Sequence, residues 1–416
     1  MKILVIGSGG REHAICWKIK SFSQDYKIFA IPGNGGISFI GECIRKDISD
    51  FNGILEFFEK ENINIAIVGP ENPLAEGIVD FFVEKKCKIF GPNKKGAKIE
   101  SSKCFAKEFM KKYKIPTADF QIAESFDEGI KMIEKRKTPY VIKYDGLAAG
   151  KGVRIIENFE DGKKYLEEIF IKRIFKGEPK IVIENCLFGK ELSYLIFTDT
   201  QTYIPMVPAK DYKRVFDGDL GPNTGGMGCY SPPFYFDERL EEEIKKKIVE
   251  PTLKGLQKEN IDYRGVLYFG LMITKEGPFV LEYNVRFGDP ETQVILPRME
   301  GDLVEVIESI IEGSLNKIKI KWKEEKSLCV ILASKGYPGE YEKGKEIKNI
   351  DKVKDVILFH AGTKIENGKI LTDGGRVIGV TGIDKDMRKL RKKVYKAVET
   401  IEFEGKHYRK DIGIEE

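Results

Sequence analysis

The sequence predicts a multidomain fold of mixed α/β and α+β class that begins with a parallel sheet. A chain of 416 residues is too long for one ordinary core, so we expect two to four domains. The first hundred residues alternate strand and helix patterns, and a new series of strands begins after Trp322. A glycine-rich turn and several long strands lie between these ends and predict a separate central core.

The N-terminal hundred residues carry the parallel sheet. One helical stretch, 74–85, places Leu74, Ile78, Phe81 and Phe82 on one face at helical spacing. Strands that alternate with helices predict a parallel sheet with helices on both faces. The strand runs are 2–7, 27–31, 65–69 and 88–91.

The rest of the chain divides into a core and a C-terminal domain. We predict domains at 1–100, 101–325 and 326–416, with a compact subdomain at 117–188 inside the second. A lysine-rich helix, 101–113, leads into that subdomain. The further predicted strands are 140–143, 153–157, 180–187, 190–199, 202–209, 265–274 and 278–287, and the further helices are 237–258 and 302–312.

Composition excludes several classes of function. Lys+Arg 70 against Asp+Glu 66 gives a formal charge of +4, and no basic tract appears, so we expect no nucleic-acid partner. The longest apolar run, 265–273, is too short to span a bilayer, and the start turns polar after six residues, so we expect no membrane segment and no signal peptide. Seven cysteines without a CxxC pair indicate reduced thiols in a cytoplasmic protein and no zinc site.

The glycine-rich loop that begins at Gly7 follows a strand and opens a helix. Backbone N–H groups at such a turn can bind an anion. A dinucleotide is disfavoured because Glu12 stands where the third glycine of that fingerprint belongs, and because the second strand does not end in an acid. A smaller phosphate, held with help from Arg11, is the favoured reading, and a purely structural turn stays open.

A second glycine-rich stretch, 146–153, lies between two strands and feeds no helix, so it is not a P-loop. We expect a mobile hairpin tip that folds over a triphosphate, with Lys151 on the γ-phosphate side and Lys143 at the mouth of the cleft. About thirty residues later, an apolar strand ending near Glu184 could present backbone groups to adenine, and a following carboxylate could take the ribose hydroxyls. An ordinary surface hairpin and an ordinary charged turn remain the alternatives.

The segment 278–287 carries the sharpest signal. Side chains alternate faces along a strand, so Glu282, Asn284 and Arg286 share one face, while Leu281, Tyr283 and Val285 share the other. Two oxygen donors beside a guanidinium suit Mg²⁺ that bridges phosphates. A merely exposed face would instead carry mixed lysines.

With these elements in order, the chain resembles the ATP-grasp enzymes, and within them the phosphoribosylamine–glycine ligase family. The motifs that carry the resemblance run from the first residue to the last, and two of them, GPNTGGMG and NVRFGDPE, each fix about eight positions. They are GSGGREHA (7–14), PGNGG (32–36), GPENPL (69–74), DGLAAGKGV (145–153), DYKRVFDGDLGPNTGGMGCYSP (211–232), EYNVRFGDPETQ (282–293), HAGT (360–363) and GGRV (374–377).

The resemblance implies a Rossmann-like N-terminal domain, a two-part ATP-grasp core whose lid is 117–188, and a C-terminal domain. It implies ligation of glycine to 5-phosphoribosylamine with ATP and Mg²⁺ (or Mn²⁺), by a monomer or small homo-oligomer. Glu282 and Asn284 are the implied metal ligands. The implied ATP contacts are Lys103, Lys143, Gly150, Lys151, Glu184, Leu187 and Glu191.

The implied substrate site lies between the N-terminal domain and the core. Arg286 and Lys151 are expected to offset charge on the γ-phosphoryl group, while Asp211 holds the glycine ammonium and Arg214 its carboxylate. The implied substrate contacts are Gly9, Gly10, Arg11, Asn34, Glu71, Asp211, Lys213, Arg214, Asn223, Thr224, Gly225, Asp289 and Arg376.

The sequence departs from the family pattern at two positions. Tyr144 replaces an alanine, and Tyr212 replaces a histidine, which argues against proton transfer at position 212. A different ATP-grasp ligase of purine synthesis, a biotin-carboxylase relative and a non-catalytic nucleotide-binding regulator are the alternatives.

Overall fold

A computed structural model describes residues 1–148 and 151–414 and confirms the mixed, multidomain fold class. A parallel N-terminal sheet, two antiparallel four-stranded sheets and a C-terminal sheet follow one another along the chain. In the described part of the chain, every helix is too short or too polar to cross a bilayer.

The N-terminal sheet has five parallel strands in the order β3-β2-β1-β4-β5. Connections leave in opposite directions from β1 and β4, so a crevice opens beyond the carboxyl ends of these two neighbours. The glycine loop after β1 and the Glu71 segment after β4 border this crevice. The elements are β1 Lys2–Gly7, α1 Gly10–Phe22, β2 Lys27–Pro32, β3 Glu42–Cys43, α2 Phe51–Lys60, β4 Ile65–Val68, α3 Glu71–Glu76, α4 Ile78–Glu84, β5 Ile89–Phe90 and α5 Lys94–Ser101.

The single helix predicted over 74–85 is wrong in one respect. Gly77 has a φ of 100° and divides the stretch into α3 and α4. A left-handed glycine ends a helix because its backbone turns away while its N–H still caps the preceding turn. Leu74 and Ile78 are nevertheless both fully buried, so the apolar face was read correctly.

The subdomain predicted as the lid is a four-stranded antiparallel sheet in the order β6-β9-β7-β8. It has its own apolar core, in which Tyr144 stacks on Phe175 with ring centroids 4.4 Å apart. That contact gives Tyr144 a structural role within the lid. Helix α6, Lys103–Lys112, precedes the subdomain, whose own elements are β6 Phe120–Ala123, α7 Phe126–Glu134, β7 Tyr140–Tyr144, β8 Val153–Ile156, α8 Phe159–Leu166 and β9 Ile181–Asn185.

The core sheet is antiparallel in the order β11-β10-β16-β17. The strand predicted over 202–209 is continuous only over Tyr203–Pro205, although Met206 and Ala209 also bond to the backbone of β10; Pro205 and Pro208 have no N–H to give to a ladder. The elements are β10 Lys190–Thr198, β11 Tyr203–Pro205, β12 Lys210–Asp211, β13 Arg214–Phe216, β14 Leu220–Asn223, β15 Gly228–Ser231, α9 Glu238–Ile244, α10 Glu250–Lys258, β16 Gly265–Thr274, β17 Gly277–Asn284, α11 Thr292–Ile295, β18 Met299–Glu300, α12 Leu303–Glu312 and β19 Lys321–Trp322.

The C-terminal sheet recruits two strands from earlier in the chain. Its order is β12-β15-β20-β24-β21, with β25 also paired to β20. The short strand β12 ends at Asp211, so that residue lies where the core meets the C-terminal sheet. The elements that complete the chain are β20 Lys326–Ser334, β21 Ile357–His360, β22 Thr363–Glu366, β23 Lys369–Thr372, β24 Arg376–Asp384, α13 Met387–Thr400 and β25 Lys406–His407.

Candidate active site

A buried carboxylate with two lysine partners joins two strands of the predicted lid to helix α6. The Glu184 side chain on β9 is only 3% exposed, and its Oε1 lies 2.5 Å from Nζ of Lys143 on β7. Lys107 of α6 contacts the other oxygen and donates to the Thr117 hydroxyl at 2.6 Å. Burial raises the pKa of Glu184, but the two ammonium groups outweigh burial and leave it below its usual value. The carboxylate is therefore charged and held from two sides.

Lys107 was missed by the sequence reasoning. Burial lowers its pKa to about 8, although Glu184 opposes that shift. The sequence indicates burial of Lys107 only by its spacing, three residues after Cys104 and three before Met110. These residues form a buried stripe along one face of α6. A lysine inside such a stripe needs a buried anion, and the sequence does not say which one.

Two further lysine contacts join the lid to the core. Lys143 also donates to the carbonyl of Leu281 on β17 at 2.8 Å. Lys103, at the start of α6, donates to the Gly146 carbonyl at the base of the glycine-rich hairpin at 2.7 Å. The Asp145 carboxylate accepts from the backbone N–H of Cys104 at 3.0 Å, next to the start of α6. These bonds bring the predicted nucleotide lysines to the base of the hairpin and to the core strand.

The described residues stop on either side of the hairpin tip. Gly150 lies outside them, whereas Lys151 is exposed at the edge of the gap. Leu187 and Glu191 flank the start of β10, and both are half-buried. The backbone carbonyl of Glu191 accepts a bond from the Tyr235 hydroxyl. Their predicted contacts with adenine and ribose stay predictions.

The predicted metal ligands lie at the end of β17. Asn284 is 9% exposed and is the last residue of the strand, and Glu282 lies 3.5 Å from Nζ of Lys213. Burial raises the pKa of Glu282, but Lys213, Lys143 and other cations outweigh burial and bring it to about 2. The carboxylate is thus ionised at neutral pH, as a metal ligand must be.

These donors fit a divalent metal that also binds phosphate. One ionised carboxylate and one amide oxygen are hard ligands of the kind that Mg²⁺ uses when phosphates and waters complete its shell. Among residues 1–148 and 151–414, no cluster of three or more His, Cys, Asp or Glu side chains could hold a metal by itself.

The predicted alternation on this strand holds only in part. Tyr283 and Val285 face the main apolar core as expected, but Leu281 lies at a register irregularity, and Val280 takes the buried position in its place. Arg286 lies two residues beyond the strand, yet its guanidinium still reaches Oδ1 of Asn284 at 3.2 Å. A bulge of this kind is not readable from alternation alone.

Arg286 links the core to the N-terminal domain. Its guanidinium lies 3.5 Å from Glu71 and 3.3 Å from Glu100. Glu100 also accepts the backbone N–H of Val285 at 2.6 Å, and burial raises its pKa. The carboxylates of Glu71 and Glu100 thus position the guanidinium beside the predicted metal ligand. Glu100 is a second residue that sequence reasoning missed.

The carboxylate of Glu12 occupies the N-terminal glycine loop. Oε2 of Glu12 accepts the Gly9 N–H at 2.5 Å, and its Oε1 lies 2.5 Å from Nε of Arg11. A side chain at Gly7 or Gly69 would collide with Glu12. The residue that replaces the third glycine of a dinucleotide loop therefore folds back into the loop.

The predicted substrate residues of this loop are largely engaged within the protein. The Arg11 guanidinium is buried and donates to the Phe287 carbonyl at 3.1 Å. The Asn34 amide donates to the Ser8 and His360 carbonyls, each at 2.8 Å. These contacts fix the loop against the core and the C-terminal domain.

Asp289 joins three parts of the chain. Its carboxylate lies 3.3 Å from Arg376 of β24 and accepts the Gln293 amide at 2.6 Å. The Arg11 backbone N–H approaches the same carboxylate at 3.4 Å, and a side chain at Gly9 would meet it at 3.1 Å. A side chain at Gly10 would collide with Gln293 instead. The predicted substrate residues of the N-terminal loop, the core and the C-terminal domain therefore meet at Asp289.

The hairpin β13–β14 carries the remaining predicted residues. Arg214 donates to the Gly221 carbonyl within the hairpin at 2.6 Å, and Asn223 is exposed. Thr224 donates to the Lys213 carbonyl at 2.8 Å, and the Arg376 guanidinium donates to the Gly225 carbonyl at 2.5 Å. Thr224 and Gly225 thus lie beside the Asp289 junction, whereas Arg214 is turned toward its own hairpin.

Tyr212 packs into the C-terminal domain. Its hydroxyl accepts the Gly413 N–H at 3.1 Å, and the Arg409 guanidinium lies 4.8 Å from its ring centroid. Burial raises the pKa of Tyr212 to about 12. A tyrosine in this environment stays protonated at neutral pH.

Comparison with known proteins gives one consistent result. Three models of one family match successive parts of the chain: phosphoribosylglycinamide synthetase N domain over 1–100, its ATP-grasp (A) domain over 101–292 and its C domain over 327–415. The chain is similar to the phosphoribosylamine–glycine ligase of Caldanaerobacter subterraneus subsp. tengcongensis, with 48% identity over 413 residues and 99% of each chain covered.

Solved structures agree. The phosphoribosylamine–glycine ligase of Thermotoga maritima matches with a TM-score of 0.87 and 36% identity, covering 99% of this chain and 100% of that one. A biotin carboxylase–β-γ-ATP complex from Campylobacter jejuni matches with a TM-score of 0.74, covering 99% and 94% of the two chains. Its 16% identity is evidence of a shared fold alone.

Proposed function

The chain belongs to the phosphoribosylglycinamide synthetase family, and we propose that it is an ATP-dependent ligase that joins glycine to 5-phosphoribosylamine. The products are glycinamide ribonucleotide, ADP and phosphate, in the second step of de novo purine synthesis. The observation that carries the proposal is the pair Glu282 and Asn284 at the end of β17, with Lys213 at 3.5 Å from Glu282. Lys143, which bonds to the neighbouring Leu281 carbonyl, adds a second cation on the lid side.

The chemistry requires activation of a carboxylate. An amine does not displace oxide from a carboxylate, so the glycine oxygen first attacks the γ-phosphorus of ATP, and ADP leaves. The amine nitrogen of phosphoribosylamine then attacks the carbonyl carbon of glycyl phosphate. Phosphate leaves with one oxygen from glycine, and the new amide nitrogen loses its proton. No protein nucleophile is needed, so catalysis comes from positioning and charge neutralisation.

Glu282 and Asn284 would hold the divalent metal, which we propose is Mg²⁺ or Mn²⁺. A metal held there would supply positive charge next to the phosphates of ATP. Lys103 and Lys143 would contact phosphate from the lid side, and Lys151 would reach it from the hairpin. Arg286 offsets negative charge beside the metal ligands because Glu71 and Glu100 hold it in place.

The remaining assignments follow the position of each residue. Backbone groups at Glu184 and Leu187 would contact adenine, because the Glu184 carboxylate is already paired with two lysines, and Glu191 would contact ribose. Phosphoribosylamine would bind at the junction around Asp289, within reach of Gly9 and Gly10. Arg11 and Asn34 would act chiefly by holding that loop, because their side chains are already bonded within the protein.

The second candidate function is another ATP-grasp carboxylate–amine ligase of purine synthesis with a different acceptor. Such an enzyme would share the nucleotide cleft and differ in the acceptor that it binds. A panel of amine acceptors separates the two, since only phosphoribosylamine should support full turnover under the first proposal.

The proposal is tested by a coupled assay of ADP release that omits each substrate in turn. We expect ADP and glycinamide ribonucleotide to form only with ATP, glycine and phosphoribosylamine together. Turnover without phosphoribosylamine, or full turnover with another amine, would favour the second candidate. Release of AMP and pyrophosphate would rule out the phosphoryl-transfer route.

Compartment and assembly complete the proposal. All seven cysteines are free thiols, which is compatible with a reducing, cytoplasmic environment. We propose that the enzyme acts as a monomer or small homo-oligomer.

A further inference from the structure

The turn at 224–226, between β14 and β15, is held through its backbone by the C-terminal domain. The N–H of Gly225 donates to the Tyr337 hydroxyl at 2.9 Å, and the carbonyl of Gly225 accepts from Arg376 at 2.5 Å. Tyr337 lies in the loop after β20, and Arg376 begins β24, so both partners come from the C-terminal sheet and its loops. Both backbone polar groups of one residue in the core are therefore fixed by another domain.

This turn borders the junction around Asp289. The Arg376 side chain that bonds to Gly225 also donates to the Asp289 carbonyl at 2.8 Å and lies 3.3 Å from its carboxylate. A side chain on Gly226 would lie 2.4 Å from the ring of Pro290, so the turn packs tightly against the loop after β17. Gly225 itself is exposed. The turn is thus packed on one side, and the bonds to Gly225 fix it on the other.

The ring of Tyr337 packs on a glycine and on a small apolar cluster. A side chain on Gly375 would lie 2.2 Å from Cδ2 of the ring, so only glycine leaves room for it, which accounts for the second glycine of the GGRV motif. The ring also packs against the buried cluster that includes Met227 and Ala333. These contacts belong to the ring, whereas the hydroxyl reaches Gly225. One substitution can therefore remove the hydroxyl and keep the packing.

The two bonds to Gly225 act on position more than on stability. Because Gly225 is exposed, water would satisfy its N–H and its carbonyl if the two side chains were absent, so each bond contributes little to the free energy of unfolding. The bonds do restrict the conformation of the turn, since two successive glycines, at 225 and 226, are otherwise free to adopt many backbone angles. A displacement of about 1 Å near reacting groups can lower a rate about 100-fold.

We propose that Tyr337 is a positioning residue of the ligase and that it acts through Gly225 on the turn beside the Asp289 junction. The inference rests on the proposed function, in which phosphoribosylamine binds at that junction. Arg376 holds the carbonyl of Gly225, and Tyr337 supplies the acceptor for its N–H. The C-terminal domain thereby shapes one wall of the acceptor site through backbone contacts.

The test compares Tyr337→Phe with the unmodified enzyme. Phenylalanine keeps the packing on Gly375 but removes the acceptor of the Gly225 N–H. We expect kcat/KM for phosphoribosylamine to fall about 10-fold, with an unchanged Tm and a KM for ATP within about twofold of normal. The matched control is Tyr341→Phe in the same loop. The Tyr341 ring lies 6.4 Å from that of Tyr337, and its hydroxyl has no hydrogen bond within residues 1–148 and 151–414, so this change should be silent.

A second readout separates positioning from a loss of folded enzyme. When the turn no longer seats the acceptor amine, water competes for the glycyl phosphate and returns glycine and phosphate. ADP then forms in excess over glycinamide ribonucleotide, and we expect their ratio to rise about twofold or more in Tyr337→Phe. A smaller amount of folded enzyme would leave the ratio unchanged. A ratio equal to that of the unmodified enzyme, or a kcat/KM equal to that of Tyr341→Phe, would overturn the inference.

Gly225→Ala tests the same contact from the other side. Its methyl group would lie 3.2 Å from the Tyr337 hydroxyl and 3.0 Å from the guanidinium carbon of Arg376. We expect kcat/KM for phosphoribosylamine to fall about fivefold. In the double variant, Tyr337→Phe has removed the crowded oxygen, so the combined loss should be smaller than the product of the two single losses. Losses that multiply would contradict a shared contact.

Failure of the inference and failure of the proposed function give different results. If Tyr337→Phe lowers the Tm, Gly225→Ala decides alone, and a kcat/KM equal to that of Tyr341→Phe would then contradict the positioning role. If the unmodified enzyme releases no ADP in response to phosphoribosylamine, the proposed function fails, and the inference fails with it. Normal turnover by the unmodified enzyme with no change in either variant defeats the inference alone.

Discussion

Nζ of Lys143 lies 2.5 Å from Oε1 of Glu184, and both side chains are at least nine-tenths buried. The same ammonium bonds to the Leu281 carbonyl at 2.8 Å. One lysine therefore joins two strands of the lid and ties the lid to the strand that bears the proposed metal ligands. Because Lys107 contacts the other oxygen of Glu184, the buried carboxylate depends on two cations.

Replacing Lys143 with Met should weaken ATP binding and loosen the lid. We expect the KM for ATP to rise about 10-fold or more and the lid to lose roughly 3 kcal/mol, as when one partner leaves a buried pair. Titration of ATP in the ADP-release assay measures the KM, and thermal unfolding measures the loss of stability. The matched control is Lys180→Met, which breaks the more exposed pair with Glu124 at 2.6 Å on the same subdomain and should have little effect. An ATP KM equal to that of the control would contradict the assignment.

Replacing Asn284 with Ala should impair use of the metal–ATP complex. The change removes one proposed metal ligand and the acceptor of an Arg286 bond at 3.2 Å. We expect kcat/KM for metal–ATP to fall roughly 10- to 100-fold, and more at limiting Mg²⁺. Asn185→Ala, which also removes an asparagine that accepts from an arginine (Arg136, 2.7 Å), is the control. Near-normal activity at limiting Mg²⁺ would exclude Asn284 as a ligand.

Replacing Arg409 with Met should release the hairpin β13–β14. The Arg409 guanidinium is 1% exposed and bonds to Asp219 at 2.7 Å, to Asp411 at 2.6 Å and to the Arg214 carbonyl at 3.0 Å. We expect faster proteolysis within 216–221 and a kcat about fivefold lower or more, with the KM for ATP unchanged.

Two companion variants interpret the Arg409 result. Arg409→Lys keeps the charge but not the forked geometry, so it should restore the hairpin only in part. Arg173→Met breaks an exposed pair with Glu178 at 3.4 Å and should be silent. Equal protease sensitivity in all variants would mean that Arg409 does not hold the hairpin.

Acid should weaken the contact between the N-terminal and C-terminal domains through two histidines. Nδ1 of His13 accepts the His360 N–H at 2.8 Å. Burial, with the nearby His360, lowers the pKa of His13 to about 3, and burial lowers that of His360 to about 4. The unfolded chain therefore binds more protons below pH about 6.5, and stability falls by about 1.4 kcal/mol per pH unit for each histidine until the folded pKa is reached.

The acid effect is measured as Tm between pH 7 and pH 4. His13→Gln keeps an acceptor for the His360 N–H but cannot titrate, so it should show a shallower loss of Tm than the unmodified chain. Carboxylates titrate equally in both proteins and cancel in the comparison. Parallel curves would show that His13 does not contribute.

The sequence predicted the features that depend on repeating patterns or on residues close together in the chain. The parallel N-terminal sheet, the hairpin β7–β8 and the positions of Glu282 and Asn284 on one strand follow from local patterns, and all appear in the structure. The break at Gly77 and the short strand at 203–205 depend on single glycines and prolines, whose effect on a pattern of this length is easily missed.

Long-range partners could not be predicted in this way. Lys107, Glu100 and Arg409 act through residues that are 77, 186 and 190 positions away. Nothing in a local pattern identifies such partners, because burial of a charge says only that a counter-charge exists. The carboxylate of Glu12 inside its own glycine loop is the local exception, and it could have been anticipated from the missing third glycine.

The most direct test of the account is to follow the carboxylate oxygens of glycine. Glycine labelled with heavy-isotope oxygen in its carboxylate is supplied with ATP, Mg²⁺ and phosphoribosylamine, and the released phosphate is analysed by mass spectrometry. The account predicts one labelled oxygen in each phosphate and conversion of ATP to unlabelled ADP. Unlabelled phosphate, or label in AMP, would contradict a glycyl phosphate formed over Glu282 and Asn284.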